Sequence, residues 1–371
     1  MSHLAILDEV IASTLAPLSM RTDQEARFPR EVITALGQAG LLGLVSAVDM
    51  GGHGKGLREA AEVISRIAQT CPSTAMVVCM HYVATNVLET FGSQAVRQAV
   101  AQGRHLTTLA FSEAESRSHF WAPVSTARAD GDAVLLDARK SWVTSACEAD
   151  SYVWSSKPLA AEGASTLWLV DAKLPGLSQP GSFDGLGLRG NASTPITAQS
   201  VRIQASDRLG EDGKGFDAMM GVVLPWFATL NAACSVGLME GAIARAAAHV
   251  GGTRHQHLGT SLADLPTVRA YLARARVRTD SIQALLGDSI TAITTGRADA
   301  MLRVLEIKVA GAEAALEVTD IAMRVCGGAA FRKEAGIERL FRDARAASVM
   351  APTSDVLYDF IGKAVTGLPL F

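Results

Sequence analysis

The sequence predicts a mainly helical α+β protein in which a block of short strands separates two helical regions. Residues 1–105 carry apolar residues at helical spacing, as at Val32 and Leu36. Residues 106–212 instead contain short alternating runs between turn signals, and residues 213–371 return to long amphipathic stretches. We therefore expect an N-terminal helical domain, a middle antiparallel β-domain and a C-terminal four-helix-bundle domain with these boundaries.

Glycine and proline residues divide the first helical region into separate segments. Phe28-Pro29 opens one segment, and Gly40 together with the glycine cluster at 51–54 ends it. Residues 57–68 and 73–91 follow, and each is long and periodic enough to form a helix of its own.

Turn signals also divide the middle region, where they separate short apolar runs. The runs at 133–136, 151–154 and 166–170 are bounded by residues 130–132 and 181–185, which favours strands joined by turns. The last region lacks such punctuation and has amphipathic stretches of helical length at residues 217–250, 264–295, 298–326 and 354–365.

Composition and charge exclude several classes of protein. The 371 residues are 49% hydrophobic with a mean hydropathy of +0.21, which indicates a large core and burial between subunits. A net charge of −3 gives no electrostatic basis for binding nucleic acid or an anionic membrane. No apolar run reaches the ~18 residues that a membrane-spanning helix needs. We expect a small-molecule substrate, no nucleic acid partner and no membrane span.

The cysteines indicate a reducing compartment. They lie at positions 71, 79, 147, 234 and 326 without a CxxC pair, which predicts neither a disulfide framework nor a metal site. The segment from Leu4 to Leu18 contains Asp8 and Glu9 and has no basic region before it, so we do not expect a signal peptide. These features predict a cytoplasmic protein without a bound metal.

Short motifs in all three regions resemble the acyl-CoA dehydrogenase family, and together they cover essentially the whole chain. They lie at residues 28–29, 40–44, 51–54, 111–113, 140–144, 186–191, 327–331 and 338–344. Each motif is weak alone, but their order and spacing are those of the family. The resemblance implies the family's three-domain fold and an FAD-dependent oxidoreductase.

The resemblance also implies that motifs of the β-domain bind the flavin. In the family, the segment at Phe111 and Ser112 contacts the flavin through backbone and hydroxyl groups. The segment Trp142-Val143-Thr144 covers the dimethylbenzene side of the flavin and reaches its N5 atom. An isolated tryptophan is more often a buried core residue, but its place in this motif favours a cofactor contact.

A second set of cofactor residues is implied in the C-terminal region, because the family shares its FAD site between subunits. Gly327 and Gly328 let a backbone approach the diphosphate or adenosine half of FAD, although glycine also commonly ends helices. Arg324 replaces the family's usual glutamine and can bind a diphosphate oxygen. Either Arg254 or His255 matches the family's diphosphate-binding arginine. A shared site implies a homodimer or a homotetramer.

The carboxylate that removes the α-proton of an acyl-CoA is missing from both positions that the family uses. Its usual position, after the Arg-Asp-Ala motif, is Ala351 in this chain. A branch of the family places it on the long helix after the β-domain, where this sequence has Phe227. Ala228 replaces the arginine that accompanies the carboxylate in that branch.

The motif that contacts the substrate's carrier is altered as well. Where the family has Gly-Ser-Asp, this chain has Arg117-Ser118-His119. Ser118 matches the serine near the CoA phosphopantetheine, whereas its neighbours change the local charge and bulk. Another thioester carrier, or a substrate without one, therefore stays open beside CoA. Trp226 and Phe227 predict a bulky, apolar pocket wall.

Two residues are candidates for the missing chemistry. His81 lies on a helix that lines the pocket in this fold, where its ring either has a satisfied hydrogen bond or takes part in oxygen chemistry. Asp355 lies four residues after Ala351, and one helical turn of offset makes it a candidate relocated base. In the alternative reading, Asp355 and Thr353 bind FAD or begin a helix.

The sequence therefore favours an FAD-dependent oxidoreductase that α,β-dehydrogenates an acyl thioester or related substrate with an unconventional base. Two alternatives stay open. One is a reduced-flavin-dependent monooxygenase of the same fold, in which His81 acts with Ser112 or Thr144. The other is a catalytically silent homologue, against which the intact flavin motifs argue.

Overall fold

The computed structural model describes residues 2–179, 181–257 and 259–370, and its first third is helical. The helices of this region are α1 (His3–Val10), α2 (Ala16–Gln24), α3 (Arg30–Gln38), α4 (Leu57–Ala68), α5 (Pro72–Phe91) and α6 (Gln94–Ala101). Pro72 suits the first turn of α5, where a backbone N–H has no helical partner. Most of the 20 residues of α5 are buried, so this helix forms the centre of the region.

The middle region consists of two four-stranded sheets. Its strands are β1 (Thr107–Ala110), β2 (Thr126–Asp130), β3 (Ala133–Val143), β4 (Ser151–Ser156), β5 (Thr166–Asp171), β6 (Leu177–Ser178), β7 (Thr194–Gln204) and β8 (Arg208–Leu209). The strand orders are β1-β4-β5-β8 and β2-β3-β7-β6. All pairings within these sheets are antiparallel except β1 with β4, which is parallel. The predicted antiparallel β-domain is confirmed, with this one parallel pair as an addition that the sequence did not indicate.

The last region is a bundle of long helices. It contains α7 (Gly215–Ala218), α8 (Leu224–Gly252), α9 (Pro266–Thr295), α10 (Ala300–Cys326), α11 (Ile337–Val349) and α12 (Ser354–Thr366), with a short hairpin of β9 (Arg254–His255) and β10 (Thr260–Ser261) after α8. A Cβ at Gly237 would lie 2.0 Å from the carbonyl oxygen of Ser65, and one at Gly241 would lie 2.5 Å from that of Gln69. These glycines let α8 pack directly against α4. The order of helices, strands and helices confirms the predicted fold class.

Two helical stretches, His3–Gln24 and Gly215–Gly252, are long and apolar enough to pass a compositional test for membrane spans. In the second stretch, 83% of the most apolar window is buried inside the fold. Burial in the bundle core therefore accounts for its composition, whereas 22% of the corresponding window is buried in the first stretch, which lies near the N-terminus.

Candidate active site

A cavity of about 730 Å³ lies where the three regions meet. Helix α5 contributes Met76 and Met80, which are one turn apart and share a face. The β-domain contributes residues from the end of β1, the turn that follows it, the end of β3 and the loop at 183–193. The C-terminal bundle completes the wall with Val223, Leu224, Phe227, Arg342, Arg345, Ala346, Val349, Met350 and Ala351.

Several residues that the sequence singles out meet on this cavity. Those that line it are Phe111, Ser112, Ser118, Trp142, Thr144, Phe227 and Ala351, the last being the position where we expect the base to be missing. They come from the β-domain, from α8 and from the segment after α11, so only the folded chain gathers them. The aromatic ring of Phe111 stacks on that of Phe120 with 6.4 Å between centroids, which keeps this part of the wall apolar.

Trp142 and Thr144 lie at the end of β3, where the strand pairing with β7 is irregular. Trp142 has a φ of 55°, and its side chain is 72% exposed on the cavity. A large aromatic residue in this left-handed conformation is strained and is typical of functional sites. The Thr144 hydroxyl lies 3.0 Å from the Ser193 hydroxyl, and both side chains line the cavity. The motif thus presents a flat indole face beside hydroxyl groups.

Glu113 is the one carboxylate on the cavity wall among the described residues, and its negative charge is balanced by a neighbouring lysine. Its Oε1 accepts a hydrogen bond of 2.5 Å from Lys140 Nζ, and its Oε2 accepts one of 2.7 Å from the Val124 N–H. Burial works to raise the pKa of Glu113, but Lys140 and hydrogen bonds from Ser125 and Val124 outweigh it and hold the pKa below its usual value. Glu113 is therefore a structural anion rather than a free base.

Lys140 is fully buried and makes further contacts that hold it in place. Its Nζ donates to the Ser155 carbonyl at 2.7 Å and to the Ser155 hydroxyl at 3.0 Å. Burial lowers the pKa of Lys140 to about 8, against the opposing effect of Glu113. The pair fastens the turn after β1 to strands β3 and β4, and this turn carries the cavity residues Arg117, Ser118 and Phe120.

The segment that carries Ala351 is held by a second buried lysine, Lys308 of α10. Its Nζ donates to the carbonyl oxygens of Ala347, Met350 and Pro352 at 3.3, 3.0 and 2.8 Å. Burial lowers the pKa of Lys308 to about 7. The amine caps the end of α11 and fixes the cavity wall at Ala351.

His81 does not line the cavity, although it follows Met80 on α5. The side chain is 0% exposed, its Nε2 lies 3.1 Å from the Leu42 carbonyl oxygen, and its Nδ1 accepts the Thr107 N–H at 3.2 Å. Burial lowers its pKa to about 4, so the ring is neutral. Successive helical residues point about 100° apart, which is why Met80 faces the cavity and His81 faces the protein. The geometry corresponds to the alternative in which the ring of His81 has its hydrogen bonds satisfied within the protein.

Asp355 is exposed in the first turn of α12 and does not line the cavity. Thr353 lies beside the cavity, where its Oγ1 is 3.4 Å from the Ser118 Oγ. Asp355 therefore occupies a helix-start position rather than that of a relocated base. Val143 is buried, and Phe227 lines the cavity as expected whereas Trp226 does not.

The residues expected to serve a neighbouring subunit's FAD lie away from this cavity. Arg254, Arg324, Gly327 and Gly328 are all exposed, and the side chain of His255 lies outside the described residues. The Arg324 guanidinium stacks over the Tyr271 ring at 4.9 Å from its centroid. Their assignment to a shared cofactor site stays a prediction.

No site role was predicted from the sequence for four residues that line the cavity, Asn191, Ser193, Arg342 and Arg345, although Asn191 and Arg342 lie in motifs noted above. Arg342 and Arg345 belong to a face of α11 that repeats at positions 342, 345, 346 and 349. That helical spacing was a readable signal. Asn191 ends the motif at 186–191, but nothing local marked Ser193, whose hydroxyl lies 3.0 Å from that of Thr144.

Comparisons with known proteins agree with the geometry. Residues 5–103, 108–201 and 213–366 match the N-terminal, middle and C-terminal domains of acyl-CoA dehydrogenases. The chain is 28% identical over 356 residues to the mitochondrial short-chain specific acyl-CoA dehydrogenase of Bos taurus, with 92% of this chain and 84% of the bovine protein covered. It is 24% identical over 374 residues to the cyclohex-1-ene-1-carbonyl-CoA dehydrogenase of Geobacter metallireducens, covering 98% and 96%.

A solved structure shows the same fold. Butyryl-CoA dehydrogenase from Megasphaera elsdenii superposes with a TM-score of 0.90 at 20% identity, covering 98% of this chain and 97% of that one. Together, the three matched domains span nearly the whole sequence. The chain belongs to the acyl-CoA dehydrogenase family and is an FAD-dependent oxidoreductase.

Proposed function

We propose that this protein removes two hydrogens from adjacent carbons of an acyl thioester. The observation that carries the proposal is the joint placement of Ser112, Trp142 and Thr144 on a cavity whose remaining wall is mostly apolar. FAD supplies the hydride acceptor when bound. Binding, orientation, exclusion of water and handling of the proton are then tasks for the residues of the chain.

The polar and aromatic part of the cavity fits a flavin ring. The indole of Trp142 offers a flat, exposed face against which an aromatic ring can stack. The hydroxyl groups of Ser112, Thr144 and Ser193 lie on the same wall and can hydrogen bond to the polar edge of such a ring. A cavity of about 730 Å³ is within the range of cofactor and ligand sites.

The apolar part of the cavity fits an acyl chain. Met76, Met80, Leu224 and Phe227 form a wall without hydrogen-bonding side chains. The two methionines are unbranched and adapt to ligands of irregular shape. This wall excludes water from the carbons that react and orients them by packing.

The α-proton of the substrate has no free carboxylate to receive it on the described cavity wall. Glu113 is buried and paired with Lys140, and Ala351 and Phe227 occupy the two positions where the family resemblance leads us to expect the base. We propose that a base from solvent or from the substrate takes this proton. Dehydrogenation of a simple saturated acyl thioester is then slow.

The lack of a free carboxylate on the described cavity wall also favours a second candidate function, that of a reduced-flavin-dependent monooxygenase. Insertion of one oxygen atom from O₂ into a substrate, with the other released as water by two electrons from reduced flavin, does not need a carboxylate to remove an α-proton. The polar groups Thr144 and Ser193 and the apolar wall serve that reaction as well, because they hold the ring and exclude water.

An anaerobic titration distinguishes the two candidates. The FAD-loaded protein is mixed with octanoyl-CoA without oxygen, and the flavin absorbance and the product mass are followed. Bleaching, with a product lighter by two hydrogens, supports dehydrogenation. No bleaching, together with an oxygenated product when reduced flavin and O₂ are supplied, refutes dehydrogenation and supports the monooxygenase.

A further inference from the structure

The cavity wall carries an excess of positive charge. Its charged side chains, among the described residues, are Glu113, Arg117, Arg342 and Arg345. Glu113 is balanced by Lys140 at 2.5 Å. Arg342 is balanced too, since its guanidinium lies 2.6 Å from Asp23 Oδ2 and 2.6 Å from Glu338 Oε2.

The remaining charges, on Arg117 and Arg345, are uncompensated. Neither guanidinium has an ion-pair or hydrogen-bond partner in the part of the chain that the structure describes, and both side chains are exposed on the cavity. A guanidinium offers five N–H donors in a fixed fork that matches carboxylate and phosphate oxygens. Two such groups on one largely apolar cavity are a recognition element for an anion.

The backbone conformation of Arg117 independently supports a functional role for its side chain on the cavity wall. Its φ is 49°, a left-handed conformation that glycine adopts without cost and that side chains rarely adopt. Its backbone N–H closes a turn onto the Glu113 carbonyl at 3.0 Å, so the conformation is fixed by the buried Glu113–Lys140 pair. An arginine held in a strained position on a cavity wall points to a function for its side chain.

The segments that carry the two arginines approach each other. Ser118, next to Arg117, has its Oγ 3.4 Å from Oγ1 of Thr353. Thr353 follows the end of α11, the helix that carries Arg345 on the face toward the cavity. Ala351 lies between these groups along the chain and also lines the cavity.

We propose that Arg117 and Arg345 bind an anionic oxygen group of the substrate, either a carboxylate on its acyl part or a phosphate on its carrier. This proposal rests on the proposed function, since it specifies the substrate class of the same cavity. It gives the protein a preference for charged over neutral thioesters.

The test measures binding, by calorimetry on the FAD-loaded protein without oxygen. Its probes are glutaryl and pentanoyl thioesters, which have the same chain length and differ in one carboxylate. Each acyl group is presented on CoA and on N-acetylcysteamine, which carries no phosphate. The variants are Arg117→Gly, which relieves the left-handed strain, and Arg345→Gln. Arg128→Gln, at an exposed arginine of β2, is the matched control.

We expect each cavity variant to weaken binding of the anionic probe about tenfold or more, because a charge-assisted hydrogen bond is lost. Arg128→Gln leaves binding unchanged. A loss confined to the glutaryl probes on both carriers assigns the site to an acyl carboxylate. A loss confined to the CoA probes, whatever the acyl group, assigns it to a carrier phosphate. Either result supports the anion site.

Two results overturn the proposal. One is equal binding of all probes by the wild type and both cavity variants. The other is a loss of FAD affinity in the variants with unchanged thioester binding, which would show that the arginines bind the cofactor and not the substrate. Flavin absorbance recorded in the same samples separates this question from the proposed function. Arginine-dependent binding without bleaching refutes dehydrogenation alone, and bleaching with thioester binding unchanged in both variants refutes the anion site alone.

Discussion

Replacing Lys140 by methionine should destabilise the protein and loosen one wall of the cavity. The change keeps the apolar stem but leaves the carboxylate of Glu113 buried without its cation. Removing one partner of a buried ion pair typically costs about 3–5 kcal/mol. Glu113 retains the N–H groups of Val124 and Ser125 at 2.7 and 3.1 Å, so we expect the low end of that range, about 3 kcal/mol.

The pH dependence of this effect follows from the sign of the pKa change. Without Lys140, burial raises the pKa of Glu113, so the folded state holds its proton more tightly than the unfolded state. An acid with a raised folded pKa favours the folded state below its unfolded pKa and loses that advantage as the pH rises. The deficit of Lys140→Met should be largest at neutral pH and shrink toward pH ~4.

Urea denaturation followed by tryptophan fluorescence measures the effect. The double variant Glu113→Gln with Lys140→Met should recover much of the loss, because no unpaired charge is left in the interior. The reasoning is refuted if the free energy of unfolding of Lys140→Met lies within about 0.5 kcal/mol of the wild-type value. It is also refuted if the double variant is as unstable as the single one at pH 7.

Three further predictions concern the cofactor and the wall that carries Ala351. Trp142→Ala should weaken FAD binding about tenfold in a fluorescence titration, since a stacked aromatic face is lost; unchanged affinity would remove Trp142 from the flavin site. Gly328→Leu should weaken FAD binding and assembly in sedimentation while leaving the subunit's fold intact, because nothing lies within 4 Å of a Cβ there; unchanged FAD binding would contradict a shared site. Lys308→Met should lower the free energy of unfolding, measured by urea denaturation, by about 2–4 kcal/mol, because buried carbonyl groups lose their hydrogen-bond donor. A variant as stable as the wild type would show that these carbonyl groups have other donors.

The architecture was predictable because its elements are marked locally. Residues 57–68 form α4 at the predicted bounds, and α5 differs from its prediction by one residue. Periodicity and glycine breaks encode such elements within a few turns of chain. The parallel pairing of β1 with β4 was not predictable in this way, since it depends on which distant strand lies beside β1.

The site was predictable only where a motif itself forms the wall. Trp142 and Thr144 line the cavity as expected, because both belong to the short segment at the end of β3. The direction in which His81 faces depends on the packing of α5 against Leu42 and β1, and no spacing in the sequence carries that information. The role of Lys308 was hidden for the same reason, because its acceptors lie some 40 residues away along the chain.

The most direct test of this account compares the wild type with Ala351→Glu in anaerobic reduction of the flavin by octanoyl-CoA. The account predicts slow bleaching by the wild type, because no free carboxylate lies on the described cavity wall. A restored carboxylate should raise the rate by up to ~10²–10⁴-fold, the usual contribution of a general base. Rapid reduction by the wild type, with no gain from Ala351→Glu, would contradict the account and show that another group already removes the α-proton.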